Sequence, residues 1–324
     1  MRSLSAAIFT LTLAAALVWG ADNKKNDPNQ IGNRNVGKCL NMFSLEKEIA
    51  LGKQAAEEVK RQAKVNTDPL ISEYVNRIGQ NLARNSDAKV PFTFEVIEGE
   101  EPNAFALPGG YVFVFTGLLK IADEEDEFAG ALAHEIAHVA ARHMTCRATK
   151  AQVFSIASIP ISILLGGGWG GVAARQGMGT AASTMFLKFN RSDESEADFL
   201  GTQYMYAAGY DPNGAISIFE KLQSLQKTKP GLVGRILATH PMDADRINKT
   251  QQEIQRILPA KPEYVVTTSE YKDVRDRLLM QDNRRKTDDK DGRPRLRVVP
   301  GSGKSGDQDG TDERPTIKRR DLIE

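Results

Sequence analysis

Histidine is scarce in this chain: 324 residues carry four, and three of them fall between His134 and His143. Cysteine is scarcer, with only Cys39 and Cys146, which excludes a disulfide-dense scaffold and any cysteine-rich zinc knuckle. In an oxidising compartment these two can pair; otherwise they stand as free thiols. Net charge is almost absent, since 43 basic and 42 acidic residues leave +1, so nothing sums to a basic face for a nucleic-acid partner. Unbroken apolar runs of spanning length and internal repeats are also missing. Apolar residues at 40% suit one globular domain of roughly 200–250 residues with an ample core, plus extensions.

Residues 1–20 stand apart. Arg2 gives a positive start, Ala6 to Trp19 run almost unbroken and apolar, and small residues precede the polar "DNKKNDPNQ". That layout is a secretory signal peptide. The alternative, an uncleaved anchor, is opposed by a run short of the ~18 residues of a spanning helix. Either way the rest of the chain is expected outside the cytoplasm, in the periplasm or an equivalent space. Residues 21–41 read as a polar leader, 42–280 as the domain, and 281–324, rich in mixed charge, Gly, Pro and Ser, as a disordered tail.

Within the domain, Ser44 is a candidate N-cap for a helix with Leu51, Ala55, Val59 and Ala63 on one face. A second helix begins at Asp68–Pro69 with the stripe Ile71, Tyr74, Val75, Ile78 and Leu82. "PFTFEVIE" alternates as a strand, and "NAFALPGGYVFVFTG" reads as two strands around a Pro-Gly-Gly turn. A third helix starts in the acidic "ADEEDEF", which suits a helix N-terminus, and carries "GALAHEIAHVAARH". Residues 153–187 are apolar and glycine-broken. They read either as a mobile hydrophobic segment near the active site, or one touching membrane or unfolded substrate, or as a Gly-rich loop between core helices. Further helices follow in "NRSDESEADFLGTQYMYAAG", stopped by Gly209, in "PNGAISIFEKLQSLQ", in "MDADRINKTQQEIQRIL" and in "SEYKDVRDRLLM".

The chemistry sits in "HEIAH". His134 and His138 lie four apart and project from one helix face, so two neutral imidazoles can take two corners of a Zn²⁺ tetrahedron. Glu135 points beside the metal, where a carboxylate can take a proton from metal-bound water. A catalytic zinc needs a third ligand. "RSDESEAD" offers candidates: Glu194 to ligate, with Asp198 one turn on to orient a ligand histidine. The same text also fits a solvated acidic helix, and spacing does not choose Glu194 over Glu196. His143, five residues beyond His138, falls on another side of the helix and reads as scaffold. His240, in "ATHPMDADRI", is a candidate fourth ligand in a resting state or an oxyanion contact, and Arg246 a positive charge for that oxyanion.

Together, "HEIAHVAARH", "RSDESEAD", "THPMDADRI", "NAFALPGGYVFVFTGLL" and "AAGYDP" resemble the gluzincin metalloendopeptidases of the HtpX and CAAX-prenyl-endopeptidase family, in a soluble, exported bacterial form. The resemblance covers roughly residues 42–280. It implies Glu194 as third zinc ligand, Asp198 in a proton-donor role, residues 103–106 as the edge of a substrate cleft that pairs a peptide as an added strand, and His240 and Arg246 in gating and transition-state contacts. The multi-span membrane portion of HtpX is not found here. The fold expected is α+β: a mainly helical zincin-type domain with a small antiparallel sheet beside the zinc helix. The function expected is a zinc-dependent endopeptidase of the cell envelope, with one Zn²⁺ per chain. It would act on misfolded or misassembled exported polypeptides, with peripheral membrane contact through residues 153–187. The rival reading is a zinc-containing chaperone or assembly factor with a plugged site.

Overall fold

The computed structural model describes residues 26–37, 39–150, 189–241 and 244–290; the expected signal peptide, the segment 153–187 and the tail beyond 290 lie outside them. Helix α1 (Leu45–Gln62) starts where Ser44 accepts the Lys47 N–H at 3.2 Å. Its buried face is Glu48, Gly52, Ala56 and Val59, so only Val59 of the expected stripe is on it. The cause is Gly52, which presses so closely on a neighbouring turn that a Cβ there would stand 1.8 Å from the Pro108 carbonyl. Helix α2 (Pro69–Arg84) buries the five residues expected of it, capped by Asp68.

Strands β1 (Thr93–Ile97), β2 (Ala104–Leu107) and β3 (Tyr111–Phe115) form one sheet in the order β1-β3-β2. β2 and β3 make the expected hairpin, its turn using Gly109 and Gly110 at φ of +75° and +93°, where side chains are disfavoured. β1, however, runs parallel to β3, so the sheet is mixed rather than antiparallel. The turn dictates only the hairpin partner, while residues 98–103 carry the chain across the end of β3 and place β1 on its far side. β2 is thereby an edge strand among the described residues. Phe115 N–H bonds to Asn103 O at 2.9 Å, so by ladder alternation Ala104 and Ala106 turn their backbone groups away from β3.

After a short helix α3 (Thr116–Ile121), α4 (Glu125–Ala140) opens in the acidic cluster and runs through the centre of the fold, touching α2, α6, α7 and β2. It stops at Ala140. Arg142 then takes a φ of +58° and a new helix, α5 (His143–Lys150), begins, where a single helix was expected to continue. Helix α6 (Arg191–Ala208) is capped by Asn190 and ended by Gly209 at φ +92°. Then come α7 (Asn213–Thr228), α8 (Pro230–Thr239), α9 (Ala244–Ile257) and α10 (Ser269–Lys290). α8 was not anticipated, and α10 outruns its expected end at residue 280. The described residues up to Asp282 make one compact unit, in which Tyr271, Val274 and Leu278 of α10 are buried. The whole is α+β and mainly helical, and among the described residues no helix is long and apolar enough to cross a membrane.

Two ties build the leader into this unit. Buried Arg34 pairs with Asp87 at 2.8 Å and reaches Gln203 at 2.6 Å. Cys39 and Cys146 are disulfide-bonded, their Cα atoms 5.9 Å apart across 107 residues of sequence. A loop that long constrains the unfolded chain strongly, so Cys146→Ser is expected to lower stability by about 2–4 kcal/mol. The measurement is the urea-unfolding midpoint under non-reducing conditions; an unchanged midpoint would refute the contribution.

Candidate metal centre

The centre is positioned by the tight packing of α4 on α6. Small residues make the approach: Gly201 of α6 sits against the α4 backbone, where a Cβ would lie 3.2 Å from the Ala133 carbonyl carbon and from the His134 backbone nitrogen, and the neighbouring Ala137 and Ala197 are fully buried. The closeness lets Glu194 and Asp198, one turn apart on α6, reach the two histidines one turn apart on α4. Glu196 points elsewhere, to His143, so of the two glutamates that spacing left open it is Glu194 that stands beside the α4 histidines.

His134, His138, Glu194 and His240 each contribute one donor atom, all within 4.8 Å of one another and all buried. His134 Nε2 lies 3.0 Å from His138 Nε2, 3.2 Å from His240 Nδ1 and 3.5 Å from Glu194 Oε2. Glu194 Oε1 is 3.0 Å from His240 Nδ1 and 3.4 Å from His138 Nε2. No pattern of N–H donation serves that many contacts, because a neutral imidazole has one donor. The separations that share Glu194 Oε1, and those from His134 Nε2 to the other two imidazole nitrogens, run from 3.0 to 3.4 Å, near the roughly 3.3 Å edge of a tetrahedron with vertices about 2.0–2.1 Å from its centre. Nitrogen and carboxylate donors in a closed, buried set fit a divalent ion such as zinc.

Around the donors, charge is arranged with care. Asp198 Oδ1 stands 2.9 Å from His134 Nδ1, the orienting position expected of it. Arg246, itself buried, grips Asp198 through Nε at 2.7 Å and Nη2 at 2.8 Å, and places Nη1 2.6 Å from Glu194 Oε2. Arg246, expected to face a developing oxyanion, is placed here as a clamp on two carboxylates, as two buried acids a turn apart require a cation. Burial works against ionised Asp198, but Arg246 and then His134 outweigh it and hold its pKa low. That suits a hydrogen-bond acceptor better than the proton donor implied by resemblance. Burial likewise opposes charge on Glu194, yet His240, His134 and His138 hold it well below the usual carboxylate range.

Glu135 differs. Burial raises its pKa, with His240 and His134 opposing. Its Oε2 accepts the Ala106 N–H at 3.0 Å, and Oε1 lies 3.5 Å from His240 Nε2. The Ala106 amide is thus one of the outward-facing groups of β2. Phe189, bonded through its N–H to Thr239 O at 3.1 Å, covers His138 with ring centroids 4.0 Å apart. Sequence reasoning gave Phe189 no role, and nothing in its local text marks one.

His143, read as scaffold on another side of the helix, stands beside His138 instead. In a continuous helix five residues turn through about 500°, which carries a side chain well off the face of His138. The break at Arg142 changes the direction, and His143 Nδ1 comes within 2.9 Å of His138 Nδ1. A non-glycine residue in the left-handed region costs about 1–2 kcal/mol. Here it is held by the Arg142–Glu48 ion pair at 2.6 Å and by the Phe43 carbonyl.

Burial pushes the His138 imidazole well below its usual range. Burial lowers that of His134 too, but Asp198 and Glu194 outweigh it and raise the ring to about 10. In the metal-free protein, the protonated His134 ring adds stability that is complete below pH 6.5 and lost as pH rises through about 10. A divalent ion must take that proton's place, so ion uptake at pH 7 is expected to release about one proton. Titration calorimetry in buffers of different ionisation heat reads this directly; uptake heats independent of buffer would show the ring already neutral.

Comparison with known proteins matches residues 69–254, more than half of the chain, to peptidase family M48. Among curated relatives, the beta-barrel assembly-enhancing protease of Yersinia pestis is 29% identical over 280 residues, 83% of this chain and 56% of the relative. Its namesake in Escherichia coli (strain K12) is 30% identical over 263 residues, 76% and 52% of the two chains. The mitochondrial metalloendopeptidase OMA1 of Schizosaccharomyces pombe is 35% identical over 188 residues, 55% and 52%. The chain thus spans about half the length of these relatives. With the matched span covering both the histidine helix and the glutamate helix, the chain belongs to peptidase family M48.

Proposed function

We propose that this chain is a zinc-dependent endopeptidase of the cell envelope, with His134, His138 and Glu194 as the ligands. The observation that carries the reading is the placement of Glu135: a buried carboxylate beside the donor cluster, fixed by the Ala106 amide at 3.0 Å. Bound there, zinc would supply Lewis acidity toward a peptide carbonyl and toward a water molecule. Glu135 takes the water proton and passes it to the leaving amine, a task helped by the raised pKa that burial gives it. Asp198 holds His134 in the tautomer that leaves Nε2 free, and Arg246 holds Asp198 and Glu194 in place. The outward backbone groups of β2 receive the substrate as an added extended strand.

The motifs favour the HtpX and CAAX-prenyl-endopeptidase side of the family, in an exported form. The names of the two bacterial relatives support substrates connected with β-barrel assembly. Polypeptides with unpaired strands, misfolded or misassembled, suit an edge strand as acceptor. Glu135→Gln is expected to cut peptide cleavage by about 10²–10⁴-fold with zinc content unchanged, measured on a full chain loaded with one zinc. Cleavage at the original rate would sink the reading. Complete loss of cleavage with the cellular role intact would favour the assembly-factor alternative.

One observation supports a latent resting state. His240 Nδ1 sits among the three proposed ligands, 3.0 Å from Glu194 and 3.2 Å from His134, where a substrate carbonyl or water would need to be. His240 then acts as a plug whose departure opens the site. His240→Ala is expected to raise basal cleavage of an unstructured peptide several-fold, on the order of the ~10-fold that 1.4 kcal/mol of released occupancy confers. A rate unchanged or lowered would mean that His240 is not a plug.

A further inference from the structure

His138 has two ring nitrogens, and only one faces the donor cluster. Its Nε2 lies 3.0 Å from His134 Nε2 and 3.4 Å from Glu194 Oε1, so that nitrogen must keep its lone pair bare to hold a metal. A neutral imidazole then carries its proton on Nδ1. Opposite Nδ1, at 2.9 Å, stands Nδ1 of His143, and the far nitrogen of His143 lies 3.3 Å from Glu196 Oε2. One assignment of protons satisfies the whole row: His138 Nδ1–H donates to His143 Nδ1, and His143 Nε2–H donates to the Glu196 carboxylate. The opposite assignment puts a proton on the ligating nitrogen of His138 and a bare lone pair of His143 against a carboxylate oxygen.

We infer that His143 and Glu196 form a relay of positioning residues that fixes the tautomer and ring orientation of His138 and thereby sets the affinity of the metal site. Three separate elements converge to build it. His138 comes from α4, His143 from the first position of α5, and Glu196 from α6. The convergence depends on the left-handed backbone at Arg142, without which His143 would face away. His143 is buried at 3% exposure, and Phe189 covers the neighbouring His138 ring, so water is a poor substitute acceptor there.

The relay also completes a symmetry of support. His134 is backed directly by a carboxylate, Asp198, at 2.9 Å. For His138 the corresponding carboxylate stands one imidazole further out. Glu196 is two positions past Glu194, about 200° around the helix, and reaches the ligand only through His143. Partners of this kind fix a ligand's orientation and raise its basicity.

The inference rests on the metal reading of the cluster and is independent of peptidase activity. Zinc affinity of the full chain is measured by competition with a chromogenic chelator, alongside the visible absorption bands of the cobalt-loaded protein. His143→Leu is expected to weaken zinc binding by about 10–100-fold and to shift the cobalt bands, whereas His143→Asn, whose amide oxygen takes the place of Nδ1, recovers most of the loss. Glu196→Leu, at the partly exposed end of the row, is expected to weaken binding by about 3–10-fold and carries the test if His143→Leu does not fold. Long-range nitrogen NMR of the zinc-loaded protein should show His143 protonated on Nε2. Affinities of all variants within about twofold of the original, equal losses in His143→Leu and His143→Asn, or a His143 proton on Nδ1 each overturn the relay. An unmodified chain that binds no zinc overturns the metal reading itself, and the relay with it.

Discussion

Three carboxylates, those of Glu135, Glu194 and Asp198, are buried together against a single guanidinium, and the site takes its shape from how that imbalance is met. Burying an unpaired charge costs several kcal/mol, so each acid must find a cation or a proton. Arg246 answers Asp198 with two hydrogen bonds and Glu194 with a third close contact. What remains is a deficit of positive charge at the point where four donors converge. In the metal-free protein the ring of His134 carries a proton there, its pKa raised to about 10. A divalent ion removes the deficit more completely, and does so with geometry the donors already have. The same deficit explains why His240 is drawn among the ligands, within 3.0 Å of Glu194.

Such a site requires rigid helices at short distance, and small residues provide them. α4 and α6 meet through alanines and Gly201, which lets short acidic side chains span the gap. Larger residues there would push Glu194 out of reach. The chain after α4 must then turn sharply. Arg142 does so at a backbone conformation that a glycine would adopt more easily, and the arginine is kept for its side chain: the guanidinium that pairs with Glu48 locks the turn that aims His143. Beside it the disulfide fixes the middle of α5 to the leader. Leader, turn and helix thus support one histidine of the donor cluster from behind.

Much of this was written in short-range spacing. The i, i+4 histidines, the adjacent glutamate, the one-turn separation of Glu194 and Asp198, and the αL stop at Gly209 depend on helix geometry alone, and they are where the periodicity put them. What failed were readings that depend on how elements meet. The face of α1 slipped because Gly52 docks on the Pro108 carbonyl, a contact with no local signal. Glu194 and Glu196 differ only in which neighbour each faces. That Arg246 clamps two buried acids is also a contact that local sequence does not announce. His143 was set aside on the assumption of a continuous helix, and one left-handed residue reversed that. The parallel placement of β1 likewise follows from a crossover that no strand sequence announces.

One constraint joins the substrate edge to the base. The Ala106 N–H faces outward from β2, as a strand-pairing group should, yet it is already given to Glu135. A peptide that pairs along β2 must therefore work with Ala104 and with the Ala106 carbonyl, leaving the base its anchor. If the peptide instead took the Ala106 amide, Glu135 would lose a hydrogen bond that fixes its position, and the basicity of its carboxylate would rise further in a buried setting. Pairing register is quantised at two residues per face, so a one-residue slip would bring a side chain where the carbonyl should be. In the proposed reading, the strand that receives the peptide and the carboxylate that deprotonates the attacking water are thus indexed to one another by a single backbone amide. Specificity in such a site arises first from strand register, and side-chain preference acts on top of it.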